Sequence, residues 1–107
     1  MSFQVSFPGL IRNRLLRLKE KVKAAGRSKE LGRILGNIQE CLAERPLELG
    51  EIQYTLKHVQ MPVCLLVREY LAVDYAVNAA GGKVFVTKLK MLEDHPFPAG
   101  FEKILND

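Results

Sequence analysis

Apolar and polar positions change their spacing along this chain. Phe3, Val5 and Phe7 alternate with Gln4 and Ser6, the period-two mark of a short strand, which Pro8-Gly9 ends. Ile11, Leu15, Leu18, Val22 and Ala25 then recur at steps of four and three, one stripe of an amphipathic helix. Gly26 is placed to stop it, and Ser28 to cap a second helix. The second stripe is Leu31, Ile34, Leu35, Ile38, Cys41 and Leu42, and Pro46 ends that helix. Gly32 and Gly36 each cost about 1 kcal/mol of helix propensity. Close approach to the first helix or to a sheet is the expected compensation.

After the connection Leu47–Glu51, residues 52–59 read either as a short strand or as an extended lead-in, broken by Gln60-Met61-Pro62. Three period-two runs follow, at 62–67, 70–77 and 83–90. Arg68-Glu69 separates the first two. Asn78-Ala79-Ala80-Gly81-Gly82 separates the last two, and its glycines supply the positive φ a hairpin turn needs. These runs predict a three-stranded antiparallel meander. Leu71, Val73, Tyr75 and Val77 share one face, opposite Ala72, Asp74 and Ala76. Strict alternation puts Lys88 and Lys90 with Val84 and Val86, and Phe85 with Leu89 and Met91. A proline-braked tail follows, with one helical turn at 101–105. The predicted class is α+β: an N-terminal strand, a helical hairpin and a meander, with helices on one sheet face.

With 107 residues, 48% apolar and 26% charged, the chain has the size and composition of one globular domain spanning residues 1–107. No apolar run reaches the roughly 20 residues of a membrane span, and the N-terminus lacks the pattern of a signal peptide. Cys41 and Cys64 are expected to be free, reduced and buried, which suits the cytoplasm. Cysteine and histidine spacing predicts no metal site and no cofactor. Net charge is +4 and uneven. Arg12, Arg14, Arg17, Lys19, Lys21 and Lys23 face only Glu20 in the first helix, a basic surface that attracts phosphate or an acidic partner and otherwise serves solubility.

Two stretches stand out: Glu44-Arg45-Pro46-Leu47-Glu48-Leu49-Gly50-Glu51, and Leu71-Ala72-Val73-Asp74-Tyr75-Ala76-Val77 followed by a glycine turn and Val84-Phe85-Val86. With the order of elements, they resemble the RelE/ParE superfamily of small bacterial toxins from toxin–antitoxin pairs, over Phe3 to about Leu92. Members commonly carry a proline and a Leu-Gly at the first place, and a Tyr-x-Val strand, a turn and a Val-rich strand at the second. The resemblance implies an antitoxin partner. It also implies one of three roles: ribosome-dependent mRNA cleavage without metal, inhibition of a DNA topoisomerase by contact, or an interaction domain that has lost toxicity.

Cleavage through the 2′-hydroxyl needs a base, cations for the phosphorane charge and an acid for the leaving oxygen. The family draws these from Arg, Lys, His or Tyr on the open sheet face and near the C-terminus. Its common arginine early on the penultimate strand is absent here, where Leu71-Ala72 stand, with Arg68 just upstream. The implied catalytic set is therefore Arg68, Lys88, Lys90 and His95. The RNA- or partner-binding set is Arg12, Arg14, Arg17, Lys21, Lys57 and His58. Read from its neighbours alone, His95 is an exposed turn histidine, and Tyr54, Tyr70 and Tyr75 are core or sheet aromatics.

Overall fold

The computed structural model describes residues 2–106. Its elements are β1 (Gln4–Ser6), α1 (Gly9–Ala24), α2 (Ser28–Glu44), α3 (Pro46–Leu49), β2 (Glu51–Leu56), β3 (Met61–Arg68), β4 (Leu71–Asn78), β5 (Lys83–Met91) and α4 (Glu102–Asn106). The class is α+β. The sheet is larger than a three-stranded meander: five strands in the order β1-β5-β4-β3-β2, with β1 parallel to β5 and the other pairs antiparallel. The 52–59 segment thus supplies a strand at the far edge, and the N-terminal strand joins the same sheet.

Local chemistry accounts for most boundaries. Gly26 takes φ +74°, Arg27 N–H donates to the Val22 carbonyl at 3.0 Å and Gly26 N–H to that of Lys23 at 3.0 Å. Together these close α1 in a Schellman turn. Ser28 does not cap α2: Arg27 holds the cap position and no side chain bonds the helix end. The Arg27 guanidinium instead binds Glu30 at 2.7 Å. At the β4–β5 turn, Gly82 has φ +64° and Gly81 N–H donates to Asn78 Oδ1 at 3.0 Å.

α1 and α2 cover one face of the sheet. Leu18, Val22, Leu31, Ile34, Ile38 and Leu42 are buried against Cys64, Leu66, Val73, Tyr75 and Val77. Ala25 falls outside the stripe and is exposed. Gly32 and Gly36 also differ from expectation: a Cβ on either would meet nothing within 4 Å, so neither serves a close approach.

Strict alternation fails in β5. Tyr75 pairs with Val86, but Asp74 pairs with Lys88, so Thr87 is an extra, bulged residue. Its hydroxyl donates to the Asp74 carbonyl at 3.1 Å. The extra residue brings Leu89 and Met91 onto the core face with Val84 and Val86, all four buried. Phe85, Lys88 and Lys90 are left together on the uncovered face.

The two stretches that carried the resemblance meet in space. The Tyr75 hydroxyl donates to the Pro46 carbonyl at 2.5 Å, and a Cβ on Gly50 would run into Tyr75 Oη. Glycine at position 50 is therefore a steric requirement of the buried tyrosine.

Candidate functional site

Strand β5 is only partly paired on its outer edge. β1 reaches from Lys83 to Phe85 and stops. Further along, the Asn106 amide takes the place of a strand: its Oδ1 accepts from Met91 N–H at 2.9 Å and its Nδ2 donates to the Met91 carbonyl at 2.9 Å. Between these two points the β5 edge has no strand partner among the described residues. It forms one wall of a cleft of about 1160 Å³, bounded by the first turns of α1 and by α4.

Four cationic residues line this cleft: Arg14 from α1, Lys88 and Lys90 from β5, and Lys103 from α4. None forms an ion pair among the described residues. Glu93 and Glu102 are its carboxylates, and Leu10, Ile11 and Leu105 supply apolar lining. Open, unpaired cations beside a strand edge can hold a phosphate or a carboxylate and stabilise charge that develops on it.

The other residues singled out in the sequence go elsewhere. Arg68 ends β3 opposite Leu71, on the helix-covered side, where its guanidinium bonds the Val67 carbonyl at 3.0 Å and lies 3.9 Å from Cys41 Sγ. Lys57 and His58 stand in the exposed β2–β3 turn, at the opposite edge of the sheet. Arg17 and Lys21 border a shallow depression with Ile104, and Arg12 is exposed outside the cleft.

His95 is not an exposed turn residue. Its side chain is 2% exposed, its Nε2 lies 2.8 Å from Glu102 Oε1, and Nδ1 accepts from Phe97 N–H at 3.2 Å. With Nδ1 an acceptor, the ring proton sits on Nε2 and is donated to the carboxylate. The imidazole therefore fixes the tail and is closed to a substrate.

The tail itself is well packed. Phe97 is buried, meets Tyr70 edge-on at 5.3 Å and stacks on Phe101 at 6.2 Å, while Arg27 lies over its ring. Burial pushes the Tyr70 hydroxyl up to about 12, and that hydroxyl finds no hydrogen-bond partner among the described residues. Both cysteines are free; Cys64 is buried, which raises its thiol, whereas Cys41 is only half-buried.

Sequence reasoning missed Lys103, Glu93 and the tail wall of the cleft. Their only signal was the apolar spacing of Phe97, Phe101 and Leu105, which marks a segment able to fold back on the core. A second, apolar groove runs between α1 and α2, lined by Leu15, Lys19, Leu35 and the open glycines Gly32 and Gly36. Among the described residues no group of His, Cys, Asp or Glu could hold a metal ion, and no helix is long and apolar enough to cross a membrane. No family model, curated protein or solved structure matches the chain.

Proposed function

We propose that this chain is a toxin-like module of the RelE/ParE kind, held in check by an antitoxin, that acts on RNA bound at the cationic cleft beside β5. The observation that carries this reading is the convergence of Arg14, Lys88, Lys90 and Lys103 on one open cleft with no acidic partner bound to them. Phosphate contacts by such groups give affinity without sequence preference, and that affinity falls steeply with salt. Binding that blocks translation is the primary activity, because Arg68 lies on the helix-covered side of the sheet and the buried His95 imidazole is taken up by Glu102. Metal-free cleavage is the second reading, and one observation favours it: Glu93 borders the same cleft as Lys88 and Lys90, so a carboxylate base and cations for the phosphorane open onto one space. The antitoxin fits the apolar α1–α2 groove, which Lys19 borders, through an acidic amphipathic segment.

Purified protein is tested with ribosomes and a labelled mRNA, reading binding and strand scission in the same samples. The expected result is salt-sensitive binding that Lys88→Ala with Lys90→Ala weakens at least tenfold. Scission lost on Glu93→Gln would establish the second reading. Induced expression that fails DNA supercoiling before translation would replace both with topoisomerase inhibition.

A further inference from the structure

We infer that the uncovered face of the sheet is a stacking platform for the unpaired bases of a single-stranded nucleic acid, an inference that rests on the RNA reading above and specifies which RNA. Four residues occupy one straight cross-strand row on that face. Tyr54 pairs with Val63, Val63 with Ala76, and Ala76 with Phe85. Paired residues share a face, so the row runs across four strands, spanning about 14 Å at the usual strand spacing. Its ends are exposed aromatics, Tyr54 at 59% and Phe85 at 36%. Its middle is small: Val63 and Ala76 are covered by their neighbours yet belong to no part of the helix-covered core, so the two rings are what the row leaves open.

The charge on this face complements a phosphate backbone. The Thr87 bulge puts Lys88 and Lys90 beside Phe85, and Lys83, opposite Asn78, lies on the same side. β5 thus presents Lys-Phe-Lys-Lys along its open face, and none of these lysines is ion-paired among the described residues. Asp74, opposite Lys88, and Glu51, opposite Leu65, are the acids there. A cationic track beside exposed rings is how single strands are held without sequence preference: phosphates follow the cations and bases stack on the π-faces. A duplex hides its base faces and gains nothing from the rings. A folded protein partner would use the apolar row but would leave the lysine track unmatched unless it were acidic.

The test measures binding of three labelled probes by anisotropy, at low and high salt: an oligouridylate, an abasic ribose-phosphate chain of the same length, and an RNA duplex. Wild-type protein is expected to prefer the oligouridylate. Tyr54→Ala and Phe85→Ala should each weaken that probe about tenfold, leaving the salt slope and the thermal midpoint unchanged, while Tyr54→Phe restores affinity. Lys83→Ala with Lys88→Ala should instead flatten the slope, by about 0.7 for each phosphate no longer neutralised. Equal affinity for the abasic chain, or indifference to loss of both rings, overturns the platform and leaves the cleft reading standing. Failure of every probe to bind overturns both. A wild-type dimer that Tyr54→Ser with Phe85→Ser dissociates assigns the face to a second copy and also overturns the platform.

Discussion

Tyr75 and Tyr54 occupy opposite faces of one sheet, the first with no exposed surface and the second 59% exposed. Around Tyr75 every local feature answers to packing. Its hydroxyl is satisfied by Pro46, Gly50 leaves room for its ring, and burial raises its pKa far above the ordinary value of 10. Around Tyr54 nothing is fitted. β2 is exposed along nearly its whole length, and the ring has only Val63 beside it in the row. Both residues suit a strand equally well. What separates them is whether α1 and α2 lie above, so an aromatic on the uncovered face has to be explained by something other than the core.

The largest test of that contrast is the pair of tyrosines. Tyr75→Ala should cost about 3–5 kcal/mol, as for other large buried aromatics, whereas Tyr54→Ala should stay within roughly 0.5 kcal/mol of wild type. Urea denaturation of both variants checks it. Equal losses would mean that the open face is part of the core.

The glycines offer the next contrast. Gly50→Ala forces a methyl into the Tyr75 hydroxyl and should destabilise by about 1–3 kcal/mol. Gly50→Ala made with Tyr75→Phe should recover part of that loss, since the nearest clashing atom is gone. Gly36→Ala has the opposite sign. Its Cβ meets open space in a helix interior, so it should stabilise by up to about 1 kcal/mol, raising the thermal midpoint by a few degrees. A loss of stability there would show that the α1–α2 groove closes in solution.

How far the sequence reveals this molecule depends on whether a signal is local. Helix stripes, the glycine turn and four of the five strands follow from periodicity, β2 being the exception. β2 was ambiguous because it buries neither face, and its strand character comes only from pairing with β3. The Thr87 bulge left no mark: one extra residue reverses the alternation, and the hydroxyl that supports it is an ordinary threonine. Lys88 and Lys90 were legible as cations, but the face they share with Phe85 was not. Arg68 lies just before β4 along the chain, yet the alternation of β3 sends it to the helix side, opposite Leu71. His95 looked exposed because Asp94 and Pro96 flank it, and only the return of Phe97 and α4 buries it.

The weakest of the expected effects concerns that return, which seals the covered face beside β5. His95 donates to Glu102, and Gly100 N–H adds a second bond at 3.4 Å; together these hold the Glu102 carboxyl below its ordinary 4.5, the histidine contributing most. A carboxyl whose pKa is depressed by folding stabilises the native state above its unfolded value. That contribution is lost as pH falls through the folded value. The tail should therefore loosen below about pH 4.5. Glu102→Gln keeps the shape and removes the charge, so it should lower the thermal midpoint slightly at neutral pH and make its acid limb shallower than that of wild type. The uncovered face has no part in this contact, so Tyr54→Ala should leave the acid limb unchanged. Parallel acid limbs for wild type and Glu102→Gln would mean that the aromatic cluster of Tyr70, Phe97 and Phe101 holds the tail unaided.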